Sequence, residues 1–238
     1  MKNLDELKIK IFADGANKNE MLEMNKKEYI HGLTTNPTLM KKASIHNYKD
    51  FCIDILQYIK NKPLSFEVFS DEFSEMERQA MEIATWGENI YVKIPITNTK
   101  GESACKLIKS LTSKKVKLNV TAIMTLDQVS NVSDCLDPLV PSYISIFAGR
   151  IADTGRDPIP IMTQTLELIK GNKNCELIWA SPRELLNIIQ ANEIGCHIIT
   201  VTKEILNKTN LIGYDLNEYS LDTVKMFYND ALEAGYKL

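Results

Sequence analysis

One pattern constrains this chain more than any other. Eight short apolar, β-favouring runs recur along it, each followed by a stretch of helical periodicity. The runs are "IKIFADG" (9–15), "GLTTN" (32–36), "LSFEVFS" (64–70), "IYVKIPI" (90–96), "KLNVTAI" (117–123), "YISIFAG" (143–149), "ELIWAS" (176–181) and "HIITVT" (197–202). Between them, segments such as "NYKDFCIDILQYIK", "DEFSEMERQAMEIATWG" and "DPIPIMTQTLELIKG" repeat apolar residues three and four apart, and several finish at glycine or a basic residue. Strands alternating with helices are joined by right-handed crossovers and pair in parallel. Eight such units within 238 residues predict an α/β fold, a (β/α)8 barrel, with an open doubly wound sheet as the alternative. No low-complexity stretch or proline-rich linker divides the chain, so residues 1–238 read as a single domain. The final stretch, "DLNEYSLDTVKMFYNDALEAGYKL", predicts a long amphipathic helix over about 216–238, long enough to serve a subunit contact.

Charge and composition narrow the function classes. A net charge of -3 offers neither a basic face for nucleic acid nor a polybasic membrane anchor. No apolar run approaches the roughly 20 residues that span a bilayer. The start, "MKNLDELKIKIFADG", lacks the apolar core of a signal peptide, and a cytoplasmic protein is expected. The five cysteines are widely spaced without a C-x-x-C pair and read as reduced core thiols. His31, His46 and His197 form no H-x-H or H-E-x-x-H pattern, so no metal site is expected.

Lys93 stands in the middle of the fourth run. Alone, it reads as a solvated or salt-bridged lysine on an edge strand. Its neighbours in the series change that reading. Active sites of parallel barrels gather at the C-terminal ends of the strands, and polar residues gather there in this chain. Asp14 closes the first run; Thr34, Thr35 and Asn36 close the second; Glu67 lies in the third. Asn119 and Thr121 lie in the fifth, Ser145 and Arg150 go with the sixth, and Ser181 and Arg183 with the seventh. Period-two alternation puts Asn119 with Thr121 on one face, and Ser65 with Glu67 and Phe69 on another. Each residue has an ordinary explanation: Asp14 as a helix cap, Glu67 as an arginine partner, Thr34 to Pro37 as a turn. Together they point Asp, Glu, Lys, Asn, Thr, Ser and Arg at one mouth.

The residue types then imply a chemistry. A desolvated lysine has a depressed pKa, so its free amine attacks carbonyls and forms Schiff bases. Asp14 and Glu67 could move protons. Arg150 and Arg183, with the Ser181 hydroxyl, could hold a dianionic phosphate. These parts make up a class I aldolase type of reaction on a sugar phosphate.

The ordered segments "FADGAN", "GLTTNPTLM", "SFEVFS", "YVKIPIT", "LNVTAIM", "YISIFAGRIADTG", "WASPRE" and "GCHIITVT" resemble the transaldolase family, especially its short-chain branch, which includes the fructose-6-phosphate aldolase group. The resemblance implies that Lys93 forms the Schiff base and that Asp14 takes a proton from the hydroxyl of the leaving aldehyde. It implies that Glu67 and Thr121 position a water, and that Asn36, Asn119 and Ser145 hold the dihydroxyacetone unit. It places the phosphate on Arg150, Ser181 and Arg183, with Thr34 and Phe147 completing the substrate contacts. Relatives of the aldolase kind carry glutamine at the position of Glu67 and tyrosine at that of Phe147, so the resemblance favours transfer. A dihydroxyacetone unit would pass from sedoheptulose 7-phosphate or fructose 6-phosphate to glyceraldehyde 3-phosphate or erythrose 4-phosphate, without cofactor, in the pentose phosphate pathway. The alternatives are cleavage that releases dihydroxyacetone, action on another anionic ketose, and a non-catalytic sugar-phosphate barrel. The resemblance also implies a homo-oligomer, a pentamer or decamer. Gly15, Ile146, Pro182 and Glu184 depart from the family's usual residues.

Overall fold

A computed structural model describes residues 4–238. Eight strands pair all in parallel and in sequence order: β1 (Lys10–Asp14), β2 (Ile30–Thr34), β3 (Leu64–Glu67), β4 (Ile90–Pro95), β5 (Leu118–Ile123), β6 (Ser142–Ile146), β7 (Cys175–Trp179) and β8 (Ile198–Thr202). β8 closes on β1, which makes the expected barrel and excludes the open sheet. The helices are α1 (Lys18–Asn25), α2 (Pro37–Lys42), α3 (Tyr48–Tyr58), α4 (Phe73–Ala84), α5 (Cys105–Ser113), α6 (Leu126–Ser133), α7 (Ala148–Ala152), α8 (Ile159–Ile169), α9 (Leu186–Glu193), α10 (Lys203–Leu206) and α11 (Leu216–Glu233). Several start where a polar side chain accepts the orphan N–H groups of the first turn: Asn17 for α1, Asn36 for α2, Asn47 for α3 and Asp215 for α11. Thr125 and Gln128 form a reciprocal capping box at α6.

Both strand faces are buried, which is why the runs read as nearly continuous apolar stretches. Outward residues such as Leu33, Phe66, Val92, Ile94 and Val120 join the large cluster under the helices. Inward residues Phe12, Tyr143, Ile178, Ala180 and Ile198 form a separate cluster inside the barrel, with Tyr91 packed against it. The Tyr91 and Tyr143 rings stack at 4.0 Å, and Phe12 meets Tyr143 edge-on at 5.8 Å. Gly32 makes room for this layer, because a Cβ there would lie 2.6 Å from Cζ of Phe12. The aromatic layer is the floor of the site, and only the strand ends above it are left for polar chemistry.

The expected boundaries shift where the chain leaves the ladder. β3 stops at Glu67, so Phe69 does not share the inward face; it is exposed, with its ring 5.1 Å from that of Tyr48. Phe147 caps α7 and Arg150 lies within that helix, while Ser181 and Arg183 lie beyond the end of β7. The short helices α2, α7 and α10, which follow β2, β6 and β8 closely, carried no periodic signal of their own. The last helix ends at Glu233, short of the expected 238, with Gly235 at φ +66° just after it. Among the described residues, no helix is long and apolar enough to cross a membrane.

Candidate active site

Parallel register sets the mouth. Asp14 stands opposite Thr34, Glu67 opposite Lys93, and Lys93 opposite Asn119. The Lys93 side chain is only 8% exposed; its Nζ lies 3.1 Å from Oε2 of Glu67 and donates to the Thr35 carbonyl at 3.0 Å. This is an interior lysine, and the edge-strand reading fails because a closed barrel has no edge. Two positions away around the sheet, Thr34 Oγ1 donates to Oδ1 of Asp14 at 2.8 Å. Burial is the main force on Asp14 and holds its pKa above the ordinary carboxylate value. The nearby charge of Glu67 adds to that rise, while the Lys93 charge and the Thr34 hydrogen bond oppose it.

Across the interior, Nδ2 of Asn119 donates to Oγ of Ser65 at 3.1 Å, and Ser145 Oγ donates to Oδ1 of Asn119 at 2.6 Å. The polar line Ser65, Asn119, Ser145 thus spans three strands. Thr121 and Thr35 are buried, and the hydroxyl of each has no hydrogen-bond partner among the described residues. Orphaned buried hydroxyls mark places where a ligand or water completes the network. Asn36 spends its Oδ1 on the N–H of Leu39, capping α2.

The basic residues take two positions. The Arg150 guanidinium sits 5.8 Å from the Phe147 ring centroid. Arg183 is paired instead: its Nε donates to Oδ1 of Asp153 at 2.9 Å and its Nη2 to Oδ2 of the same carboxylate. It lines a cleft of about 250 Å³ with Trp179, Glu184 and Asn187. Ser181 has a left-handed φ of +61°, unusual for a residue with a side chain. Gly149 is what allows that turn, since a Cβ on it would fall 1.6 Å from the Ser181 carbonyl oxygen.

Three contributors escaped the sequence reading. The Tyr48 hydroxyl, on α3, donates to the Glu67 carbonyl at 2.7 Å and accepts from the Glu67 N–H at 2.9 Å, fixing the backbone that carries the carboxylate. Nothing in the local pattern of α3 marks it out. Ser65 was placed on the Glu67 face without a role, and Asp153 becomes visible only once β7 brings Arg183 to it. Among the described residues, no three His, Cys, Asp or Glu side chains gather as a metal site would need.

The closed parallel barrel with a buried lysine and carboxylate in its mouth defines the class: an α/β barrel with a polar C-terminal site. Sequence comparison narrows this. The family described as transaldolase/fructose-6-phosphate aldolase matches residues 11–237, and the chain belongs to that family. A probable transaldolase from Thermoanaerobacter sp. (strain X514) is 31% identical over 231 residues, covering 97% of this chain and 100% of its own. One from Nitrosopumilus maritimus is 32% identical over 216 residues, covering 90% and 92%. One from Clostridium kluyveri is 33% identical over 199 residues, covering 83% and 88%. These names support an enzyme of the aldolase or transaldolase kind. Among solved structures, a 3-keto-L-gulonate-6-phosphate decarboxylase from Vibrio cholerae aligns with a TM-score of 0.54 at 12% identity, covering 83% of this chain and 89% of its own. That likeness is one of fold.

Proposed function

We propose that the chain is a transaldolase, moving a dihydroxyacetone unit from a ketose phosphate to an aldose phosphate through a Schiff base on Lys93. The observation that carries this is the buried Lys93 amine, 3.1 Å from the Glu67 carboxylate at the mouth of the barrel. In this reading the free amine adds to the ketose C2 carbonyl, and the carbinolamine loses water with proton transfer through Glu67. The unpartnered Thr121 hydroxyl offers that water a hydrogen bond. Asp14 takes the proton from the C4 hydroxyl, the C3–C4 bond breaks, and its electron pair flows into the iminium to leave an enamine. A carboxylate whose pKa is raised by burial is better matched to this transfer than an exposed one. The enamine then adds to the acceptor aldehyde, and the steps reverse to free Lys93. In the same reading Asn119 and Ser145 hold the hydroxyls of the dihydroxyacetone unit, and Arg150 and Ser181 meet the anionic tail. Arg183 reaches that tail only by sharing its guanidinium with Asp153.

Borohydride with fructose 6-phosphate should add the mass of the reduced adduct to the intact protein, and Lys93→Ala should abolish that gain. An unchanged wild-type mass would point to a non-catalytic sugar-phosphate barrel. Dihydroxyacetone released as fast without erythrose 4-phosphate as with it would make the reaction aldol cleavage. Self-association belongs to the same proposal. α11 buries none of its residues, and Leu216, Leu221, Val224, Phe227, Tyr228 and Leu232 stand exposed along it. Light scattering should return a multiple of the 27.0 kDa chain mass; a monomer at micromolar concentration would contradict it.

A further inference from the structure

Gly15 follows Asp14 directly, yet the fold does not ask for a glycine there. Its φ is not among the left-handed ones, and a Cβ built on it meets no heavy atom within 4 Å. Its N–H is held by the Thr34 carbonyl at 3.1 Å, so the backbone is anchored. Gly32 and Gly149, by contrast, are required by packing. What the missing side chain at position 15 provides is therefore space. That space opens into a cavity of about 560 Å³ lined by Asp14, Gly15, Asn17, Lys42, Thr202 and Asn207, among others.

The chemistry of the lining says what fits. Lys203 is answered by Glu20 at 3.4 Å and Glu23 at 3.1 Å, and Lys42 makes no ion pair among the described residues. Against these cations the wall sets Asp14, Glu20 and Glu204, so no excess positive charge is available for a phosphate dianion. Asn17 uses its Oδ1 to cap α1, which leaves its amide to donate. With one carboxylate more than it has cations, wide and rich in hydrogen-bonding groups, the cavity suits an uncharged chain of hydroxylated carbons.

We propose that this cavity is a subsite for the polyhydroxyl chain of the aldose half of the substrate, and that Gly15 determines how long a ketose the enzyme accepts. The proposal rests on the transfer reading above: Asp14 would act at C4, so the carbons beyond C4 are delivered at the cavity's entrance. The charge balance leaves the anionic end to Arg150, in the helix that follows β6.

The test compares sedoheptulose 7-phosphate with fructose 6-phosphate as donors, with unphosphorylated glyceraldehyde as common acceptor, in wild type and Gly15→Val. The ratio of kcat/KM for the seven-carbon over the six-carbon donor should fall by about tenfold or more, mainly through the KM of the longer one. Gly15→Ala should fall between, and Lys42→Ala should move the ratio the same way by about threefold, as for one lost hydrogen bond. A parallel loss for both donors, or an unchanged ratio, overturns the proposal. If wild type forms no borohydride-trapped adduct, the transfer reading has failed and this proposal falls with it; an adduct with an unchanged ratio sinks the proposal alone.

Discussion

Replacing Gly149 with alanine tests whether the close approach of α7 to the turn after β7 shapes the rim at Ser181. The new Cβ would lie 1.6 Å from the Ser181 carbonyl oxygen, 2.8 Å from its carbonyl carbon and 3.3 Å from Nε of Arg183. The obstacle is backbone, so no rotamer change relieves it, and the two segments must part. Overpacking typically costs 1–3 kcal/mol, and a backbone obstacle belongs at the upper end, about 3 kcal/mol. For a chain of this size each kcal/mol lowers Tm by about 2–4 °C, so a fall of about 6–12 °C is expected. The displacement also moves Ser181 and Arg150, so KM for a phosphorylated donor should rise. Trapping of dihydroxyacetone, which has no tail, should persist. Scanning calorimetry and donor kinetics read the two effects separately. A Tm within about 2 °C of wild type, well under a typical overpacking cost, together with an unchanged donor KM, would refute the reasoning.

Asp14→Asn should stabilise the fold while removing activity. The folded pKa of Asp14 lies above the unfolded value, so its contribution to stability is fully present below that unfolded value and is lost as pH rises through the folded one. The variant should therefore melt above wild type at pH 7, with the gap closing on acidification, and turnover should drop by about 10²- to 10⁴-fold. A variant that melts lower at pH 7 would contradict this. Tyr48→Phe removes the hydroxyl that serves both backbone groups of Glu67, leaving a part-buried N–H unpaired. Urea unfolding should show a loss of roughly 1–3 kcal/mol; no measurable loss would mean that water replaces the hydroxyl.

The chain's own pattern determined the architecture of this structure. Alternation of apolar runs with helical segments is local, and each of the longer helices carries its own period; from them came the parallel barrel and its eight strands. Because the side-chain period in a strand is two, the pattern also placed Lys93 and Asn119 on inward faces, and parallel register then set Glu67, Lys93 and Asn119 opposite one another. Runs overreached at the C-terminal ends of strands, at Phe69 beyond β3 and at Phe147 beyond β6, because apolar residues continue past the last ladder hydrogen bond.

Closure of the barrel decided the rest. Ser65 and Asn119 belong to strands that do not pair with each other, and they hydrogen-bond only because the interior brings both sides of β4 together. Tyr48 lies 19 residues from Glu67 and Asp153 lies 30 from Arg183, separations at which no periodicity operates. Gly15 was visible in the sequence as a departure. That its missing side chain leaves open space beside a buried carboxylate is a property of the packing around it, since what an absent atom would touch depends on residues that the chain brings there from β8 and α2.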